Sequence, residues 1–155
     1  MALDVRLLDA AFDPASELAS FTQAHPQAGG VVSFLGQVRD IVGGGAGAQA
    51  VLELELTHYE PLTLSGMRDL ARSAADRWAL DGMLIVHRSG RMGPGDPIVL
   101  VAAAARHRRD AFAAADYAMD HLKSRAWFWK RERTAAGWRW IEPREADHAD
   151  LARWG

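Results

Sequence analysis

The spacing of apolar residues predicts strands and helices in an order that does not alternate strictly. Residues 51–59 alternate apolar and polar side chains with period two, which predicts a strand with one face in solvent. Apolar residues recur at helical spacing in 61–79 and 109–124, which predicts two long helices. Residues 98–105 are apolar throughout, as expected of a central strand. These patterns together predict an α+β fold with a mostly antiparallel sheet.

Shorter segments complete the predicted order. We expect strands at 5–8, 31–39 and 83–87, a first helix at 13–21, a hairpin with strands 127–134 and 138–142, and a short C-terminal helix within 144–154. Phe112 is predicted on the buried face of the second long helix, with Ala115, Met119 and Leu122. The glycine-rich segments 43–48 and 90–97 are predicted to be loops, the first of them mobile.

Composition narrows the class of protein. A chain of 155 residues with 49% apolar and 25% charged residues predicts one domain spanning 1–155. The absence of cysteine excludes disulfides, thiolate metal sites and thiol nucleophiles. The six histidines lack metal-ligand spacing, so we expect no metal and no bound cofactor. Without a signal peptide or an apolar run approaching roughly 20 residues, a cytoplasmic location and no membrane association are expected.

The two lysines are the first candidates for chemistry. Lys123 and Lys130 are the only lysines among 18 basic residues. Arginine stays charged in proteins, whereas a partly buried lysine can lose its proton and act as an acid, base or nucleophile. About 25 Å of extended chain separates the two, so they meet only if the chain reverses near 124–126. The alternative is an arginine-biased composition with two incidental lysines.

A basic cluster marks the start of the second long helix. Residues 106–109 read Arg-His-Arg-Arg and follow a buried strand, so the cations join the free N–H groups of the helix N-terminus. That arrangement favours a phosphate site, although a solvated charge cluster is the alternative. Arg39 and the pair His87–Arg88 end two other strands. If these ends converge near Arg108, they would form a pocket for carboxylate or phosphate.

Several stretches, in their order and spacing, resemble the MoaE family, the large catalytic subunits of molybdopterin synthase. The resemblance spans about residues 30–144, and its stretches are Phe34–Asp40, Leu54–Tyr59, His87–Gly90, Gly95–Asp96, His107–Phe112, Asp120–Lys123 and Trp129–Glu132, followed by Trp140. It implies an α/β hammerhead-like fold and a homodimer within a heterotetramer. The implied partner is a small ubiquitin-like, MoaD-type sulfur carrier whose Gly-Gly tail ends in a thiocarboxylate. The implied reaction is a sulfur transfer that converts cyclic pyranopterin monophosphate to molybdopterin.

The resemblance also implies roles for particular residues. Lys123 and Lys130 match the catalytic lysines, and the substrate-binding residues are Arg39, His107, Arg108 and Arg144. Phe34, Arg39 and Lys130 match the residues that bind the carrier tail. Arg144 corresponds to an arginine that the neighbouring subunit can contribute. Thr57, Arg106 and Trp127 depart from the family pattern, and Trp127 replaces a proline that would stiffen the chain before Lys130.

Two other functions remain open from the residues alone. A non-enzymatic module could use the same cations to hold a ubiquitin-like tail or a phosphate metabolite. A nucleic-acid binder could use the arginines and aromatic residues, but a net charge of −2 and a localised basic cluster argue against it. The glycine loop formally satisfies Gly-x-Gly-x-x-Ala, yet a strand follows it instead of a helix, which argues against a dinucleotide site.

Overall fold

The computed structural model describes residues 2–124 and 127–155. In chain order its elements are β1 (Ala2–Leu8), α1 (Pro14–Ala24), β2 (Gly30–Gln37), β3 (Ile41–Val42), β4 (Gln49–Ala50), β5 (Glu53–His58), α2 (Leu62–Arg77), β6 (Leu80–Arg88), β7 (Gly90–Met92), β8 (Pro97–Ala105), α3 (Arg108–Ser124), β9 (Phe128–Thr134), β10 (Gly137–Ile141) and α4 (Glu145–Ala152). The predicted α+β class, with two long helices, is confirmed. The predicted hairpin and C-terminal helix are confirmed as β9–β10 and α4.

The first sheet has the strand order β1-β6-β8-β2. β1 pairs with β6 in parallel, and the other two pairings are antiparallel. Successive side chains of a strand point to opposite faces, so Ile85 and Val101 pack with α2 and α3 while Leu84 and Leu100 pack with α1. β2 forms one edge of this sheet within the described residues.

The second sheet is wholly antiparallel, with the order β10-β9-β5-β7. The predicted sheet is therefore divided into two four-stranded sheets and a separate β3–β4 pair, which the strand patterns alone did not indicate. The buried face of the second sheet forms a separate apolar cluster around Leu54, Leu56 and Met92. Lys130 lies opposite Leu56 on one side and Ile141 on the other, so its side chain belongs to the face that looks inward.

Two of the predicted details were wrong. Phe112 is 60% exposed, because it lies off the buried stripe of α3, which includes Ala111, Ala114 and Ala118 as well as the predicted Ala115, Met119 and Leu122. Segment 90–97 is not wholly a loop, because Gly90–Met92 forms β7, which pairs with β5. Segment 43–48 is a loop, as predicted, with a 3-10 turn at Gly45–Gly47 between the short antiparallel strands β3 and β4. Whether this segment moves stays a prediction.

The start of β9 is attached to α2. The hydroxyl of Thr63 donates to the carbonyl oxygen of Trp127 at 2.6 Å, and the Tyr59 N–H donates to that hydroxyl oxygen at 2.9 Å. The Trp127 indole lies against the backbone of Gly66. These contacts fix the chain three residues before Lys130 without a proline. The predicted chain reversal near 124–126 lies partly outside the described residues.

Gly66 is expected to be required by this contact. A Cβ atom at position 66 would lie 2.5 Å from Nε1 of Trp127. The variant Gly66→Ala should lose about 1–3 kcal/mol of unfolding free energy through this clash, offset by about 1 kcal/mol of helix propensity. Urea unfolding followed by circular dichroism measures the net loss.

The matched control is Gly44→Ala, where a Cβ meets nothing within 4 Å and φ is −146°. Its unfolding should match that of the wild type. The double variant Gly66→Ala/Trp127→Ala should show a smaller effect of the alanine than the single variant does. A Gly66→Ala protein as stable as the wild type would contradict the assigned contact.

Candidate functional site

A cavity of about 340 Å³ lies between the second sheet, the C-terminal end of α3 and the segment that leads into α4. Its apolar lining comes from both sheets and α3 and includes Leu56, Val99 and Leu122. Its ionisable lining residues are Arg39, His87, Lys123, Lys130, Glu132, Glu142, Arg144 and Asp147. We name this space the lysine cavity, because both lysines of the chain line it.

Two different elements position the lysines. Lys123 lies in the last turn of α3, where a cation is favoured by the negative end of the helix dipole. Lys130 projects from β9 on the same face as Phe128 and Glu132. Arg39 follows β2 by two residues and lines the same cavity. The structure thus brings together the two predicted catalytic lysines and one predicted anion-binding arginine.

Burial lowers the pKa of Lys130 from 10.5 to about 8. Nearby charges also change the pKa of Lys130. Lys123 and then Arg39 lower it further, whereas Asp147 and Glu132 raise it. With a pKa near 8, the Lys130 amine is uncharged in about one-tenth of the molecules at pH 7. Lys130 can therefore exchange a proton near neutral pH.

The pKa of Lys123 is also lowered, although its side chain is more exposed than that of Lys130. It is exposed at the mouth of the lysine cavity. Desolvation by the surrounding protein lowers its pKa, the Asp147 carboxylate opposes this shift, and Arg144 and Arg39 reinforce it. Lys123 is thus held between one anion and two cations.

His87 is a buried, neutral member of the cavity. Burial is the main cause that lowers its pKa to about 4, and Lys130 and Lys123 lower it further. Its ring stacks on Phe128 with centroids 4.1 Å apart. Nδ1 lies 2.9 Å from the carbonyl oxygen of Arg88, so Nδ1 carries the proton and Nε2 remains an acceptor. Arg88 itself turns away to Asp96, 3.8 Å from its guanidinium.

Glu132 was not assigned a role from the sequence. It is 2% exposed and accepts hydrogen bonds from Arg139 Nε and Nη2 at 3.1 and 2.9 Å. The period-two spacing of Lys130 and Glu132 would have placed both on one face of the hairpin. The wall beside Lys130 thus contains a carboxylate that is already paired by Arg139.

The predicted residues His107, Arg108 and Phe34 do not line the lysine cavity of their own chain. His107 and Arg108 lie at the N-terminal end of α3, and a rise of 1.5 Å per residue puts Arg108 roughly 23 Å from Lys123 along that helix. Phe34 is 43% exposed on β2 and borders a separate groove with Phe112. The predicted convergence of strand ends near Arg108 therefore does not occur within one chain.

Arg144, in contrast, lines the cavity of its own chain, at the N-cap of α4. Two of the departures from the family pattern lie elsewhere. Thr57 is exposed on β5 opposite Trp129, and Arg106 is exposed before α3. Neither replaces a side chain of the lysine cavity.

The lowered lysine pKa values can be measured directly, because selective ¹³C labelling of lysine gives signals from two side chains. We expect the Lys130 signal to titrate near pH 8 and the Lys123 signal below 10.5. The variant Lys130→Arg assigns the signals by removing one. The unfolded chain binds more protons between pH 8 and 10.5, so the Lys130 contribution should make stability rise with pH across that window. Midpoints at 10.5 or above for both lysines would exclude this electrostatic description.

Two further properties hold for the described residues. They contain no group of three or more His, Asp or Glu side chains arranged to hold a metal ion. No helix in the described ranges is both long and apolar enough to cross a membrane.

Comparison with known sequences identifies the family. The family model described as MoaE protein matches residues 7–125. The molybdopterin synthase catalytic subunit of Ralstonia nicotianae is 46% identical, over 97% of this chain and 84% of that protein. The protein of the same name from Cereibacter sphaeroides is 45% identical, over 92% of this chain and 94% of that protein.

Solved structures agree. The molybdopterin biosynthesis MoaE protein of Burkholderia ambifaria is 41% identical with a TM-score of 0.80, covering 100% of this chain and 99% of that one. The molybdopterin synthase of Staphylococcus aureus is 27% identical with a TM-score of 0.77, covering 87% and 94%. A chain in the complex of subunits 1 and 2 of molybdopterin-converting factor from Helicobacter pylori has the same fold at 18% identity. Its TM-score is 0.70, covering 91% of this chain and 90% of that one.

The family model covers most of the chain, and the sequence relatives are similar over nearly all of it. Lys123 lies within the residues that the family model matches, and Lys130 lies just beyond them. The chain therefore belongs to the MoaE family, the catalytic subunits of molybdopterin synthase.

Proposed function

We propose that this protein transfers two sulfurs to cyclic pyranopterin monophosphate, one from the C-terminal thiocarboxylate of each of two small ubiquitin-like carrier molecules, forming the dithiolene of molybdopterin. The observation that carries this proposal is the grouping of Lys123, Lys130 and Arg39 around one cavity, with the Lys130 pKa lowered to about 8. The family assignment supports the same reaction, and we place it in the cytoplasm.

The charges of the cavity suit the two reactants. A thiocarboxylate is already a nucleophile, so the enzyme needs no thiol, in agreement with a chain that lacks cysteine. The thiocarboxylate and the substrate phosphate are both anions, and they must approach each other in the same space. Cationic side chains held in a partly desolvated cavity offset this repulsion and stabilise the charge that develops as the cyclic phosphate opens.

The two lysines then have different tasks. Lys130 lies deeper in the cavity and has the lower pKa of about 8, so it contacts the thiocarboxylate and the acyl group as it reacts. Lys123 lies at the mouth beside Arg144, where it transfers protons or contacts the phosphate. Arg39 adds a third cationic side chain to the same cavity, and arginine serves as a charge in proteins rather than as an acid or base.

The carrier is expected to insert its flexible C-terminal tail into the lysine cavity. The structure from Helicobacter pylori is a complex of two different subunits, and this chain has the fold found there. An extended Gly-Gly tail has no side chains, so it can enter a cavity of about 340 Å³ that a bulkier segment could not.

A second copy of the chain explains the placement of His107 and Arg108. β2 is an edge strand of the described structure, and Phe34 and Leu35 on it are 43% and 37% exposed. Edge strands of two copies can pair about a two-fold axis, and the pairing is then antiparallel. The start of one β2 would lie beside the end of the other.

This geometry would bring the basic cluster to the partner's cavity. The cluster lies beside the start of β2, because Gly30 pairs with Ala105 and the Arg106 carbonyl packs on Gly29. Arg39 of the second copy lies just beyond the end of its β2. We therefore propose a homodimer in which His107 and Arg108 complete the substrate site of the neighbouring chain, inside a heterotetramer with two carriers.

Reconstitution tests the proposal against the non-enzymatic alternative. The purified chain is mixed with a thiocarboxylated carrier and cyclic pyranopterin monophosphate, and the dithiolene product is measured by conversion to a fluorescent pterin. A carrier that ends in an ordinary carboxylate is the control, since it binds but has no sulfur to give. Product that forms with the thiocarboxylated carrier but not with the control carrier supports an enzyme. Carrier binding without product would instead identify a binding module.

A further inference from the structure

Asp147 is one of three acidic side chains, with Glu132 and Glu142, that line the lysine cavity beside two lysines and two arginines. It lies in the first turn of α4, and its side chain is 13% exposed. Neither its position in the sequence nor the resemblance assigned it a role. Glu132 is paired with Arg139, outside the cavity lining. Asp147 is paired within the cavity lining.

The carboxylate of Asp147 holds Arg144 through three contacts. Arg144 Nη2 donates to Oδ1 at 3.0 Å, Arg144 Nε donates to Oδ2 at 3.3 Å, and the backbone N–H of Arg144 donates to Oδ2 at 3.0 Å. Arg144 is 73% exposed, so little else restrains its side chain. A charge-assisted, two-pronged contact of this kind fixes the plane of a guanidinium.

Asp147 also acts on Lys123. Its charge is the leading interaction that opposes the lowering of the Lys123 pKa, and Lys123 in turn helps to lower the pKa of Asp147. A hydrogen bond connects α4 to the end of α3: the Ser124 hydroxyl donates to the Asp147 carbonyl oxygen at 2.7 Å. The charged groups that face Lys123 are thus Asp147, Arg144 and Arg39, with Lys130 on β9.

We propose that Asp147 is a positioning residue, which fixes the Arg144 guanidinium at the mouth of the lysine cavity and balances the charge of the Lys123 ammonium. This inference rests on the proposed function of the same cavity. A guanidinium that is already fixed loses less side-chain conformational entropy when an anionic substrate binds to it. An anion entering the cavity would meet Arg144 and Lys123 already aligned around a carboxylate.

The test compares Asp147→Asn with Glu145→Gln. Asparagine keeps the side-chain oxygen that caps the Arg144 N–H, so α4 should still form. Glu145 lies in the same first turn and does not line the cavity, so its variant removes one charge from the same helix end. We expect kcat/KM of Asp147→Asn to fall about tenfold to 100-fold and that of Glu145→Gln to stay at the wild-type value.

A second measurement does not depend on turnover. Because the carboxylate raises the Lys123 pKa, its removal should lower the midpoint of the Lys123 ¹³C titration. The pH profile of kcat/KM should shift in the same direction, and Glu145→Gln should shift neither. The Asp147→Asn effect should also be much smaller in an Arg144→Gln background, since the two side chains act as a unit.

The outcomes are separable from those of the proposed function. If Asp147→Asn keeps both the wild-type kcat/KM and the wild-type Lys123 midpoint, the inference is wrong, although sulfur transfer by the wild type would stand. Equal losses in Asp147→Asn and Glu145→Gln would likewise overturn it. If the wild type forms no product but the Lys123 midpoint still moves in Asp147→Asn, the electrostatic role holds and the proposed reaction fails.

Discussion

Replacing Lys130 with arginine is expected to reduce kcat about 10²- to 10⁴-fold, the range for losing a positioned acid–base group. Arginine keeps the positive charge, so anion binding should persist, but it does not release a proton near pH 8 as Lys130 can. Single-turnover kinetics with thiocarboxylated carrier measures the loss, and calorimetry measures substrate binding. Lys123→Arg is expected to lose activity by the same reasoning.

The matched control is the reverse exchange at the adjacent position, Arg131→Lys. Arg131 projects from the other face of β9, where its Nε lies 2.8 Å from Glu55 Oε1. That variant should keep nearly wild-type activity, since it leaves the cavity unchanged. Full activity in both Lys130→Arg and Lys123→Arg would remove proton transfer from the mechanism and leave the lysines as simple charges.

Mixed dimers are expected to recover activity from two inactive parents. One parent carries Lys123→Arg and Lys130→Arg, and the other carries His107→Ala and Arg108→Ala. In a mixed dimer, the second chain supplies the lysines and the first chain supplies His107 and Arg108, so one site is complete. Random pairing should restore about one-quarter of the wild-type activity, because half of the dimers are mixed and each has one complete site.

Co-expression with two affinity tags isolates the mixed dimers, and product formation is measured in each fraction. Size-exclusion chromatography of the parents checks that both still dimerise. Mixed dimers as inactive as their parents would show that His107 and Arg108 do not act across the interface. A fully active His107→Ala/Arg108→Ala parent would remove both residues from the substrate site.

Most of the fold was predictable because its signals are local. The alternation in β5, the helical spacing in α2 and the apolar run of β8 each follow from neighbours in the chain. The division into two sheets was not predictable, since strand patterns do not say which strands pair. Phe112 was wrongly predicted to be buried because apolar spacing gives the buried face of a helix only to within one position. A large apolar residue outweighs neighbouring alanines in such a pattern, yet Ala111 is the buried residue here.

The candidate site divides in the same way. The unusual use of lysine pointed to Lys123 and Lys130 from composition alone, and both line the cavity. The pairing of Asp147 with Arg144 was missed, because a contact three residues apart at a helix start looks like ordinary capping until the neighbouring cavity is known. The separation of His107 from Lys123 by the length of α3 could have been anticipated from their numbering.

With only two lysines in the chain, acylating reagents have few side chains to attack other than Lys130. Such reagents attack the uncharged amine, and Lys130 with its pKa of about 8 offers more of that form at neutral pH than an ordinary lysine does. Carbamylation or acetylation at this position would abolish the charge as well as the nucleophile. Such a modification would remove the Lys130 function from the lysine cavity and leave the arginines of the chain unmodified.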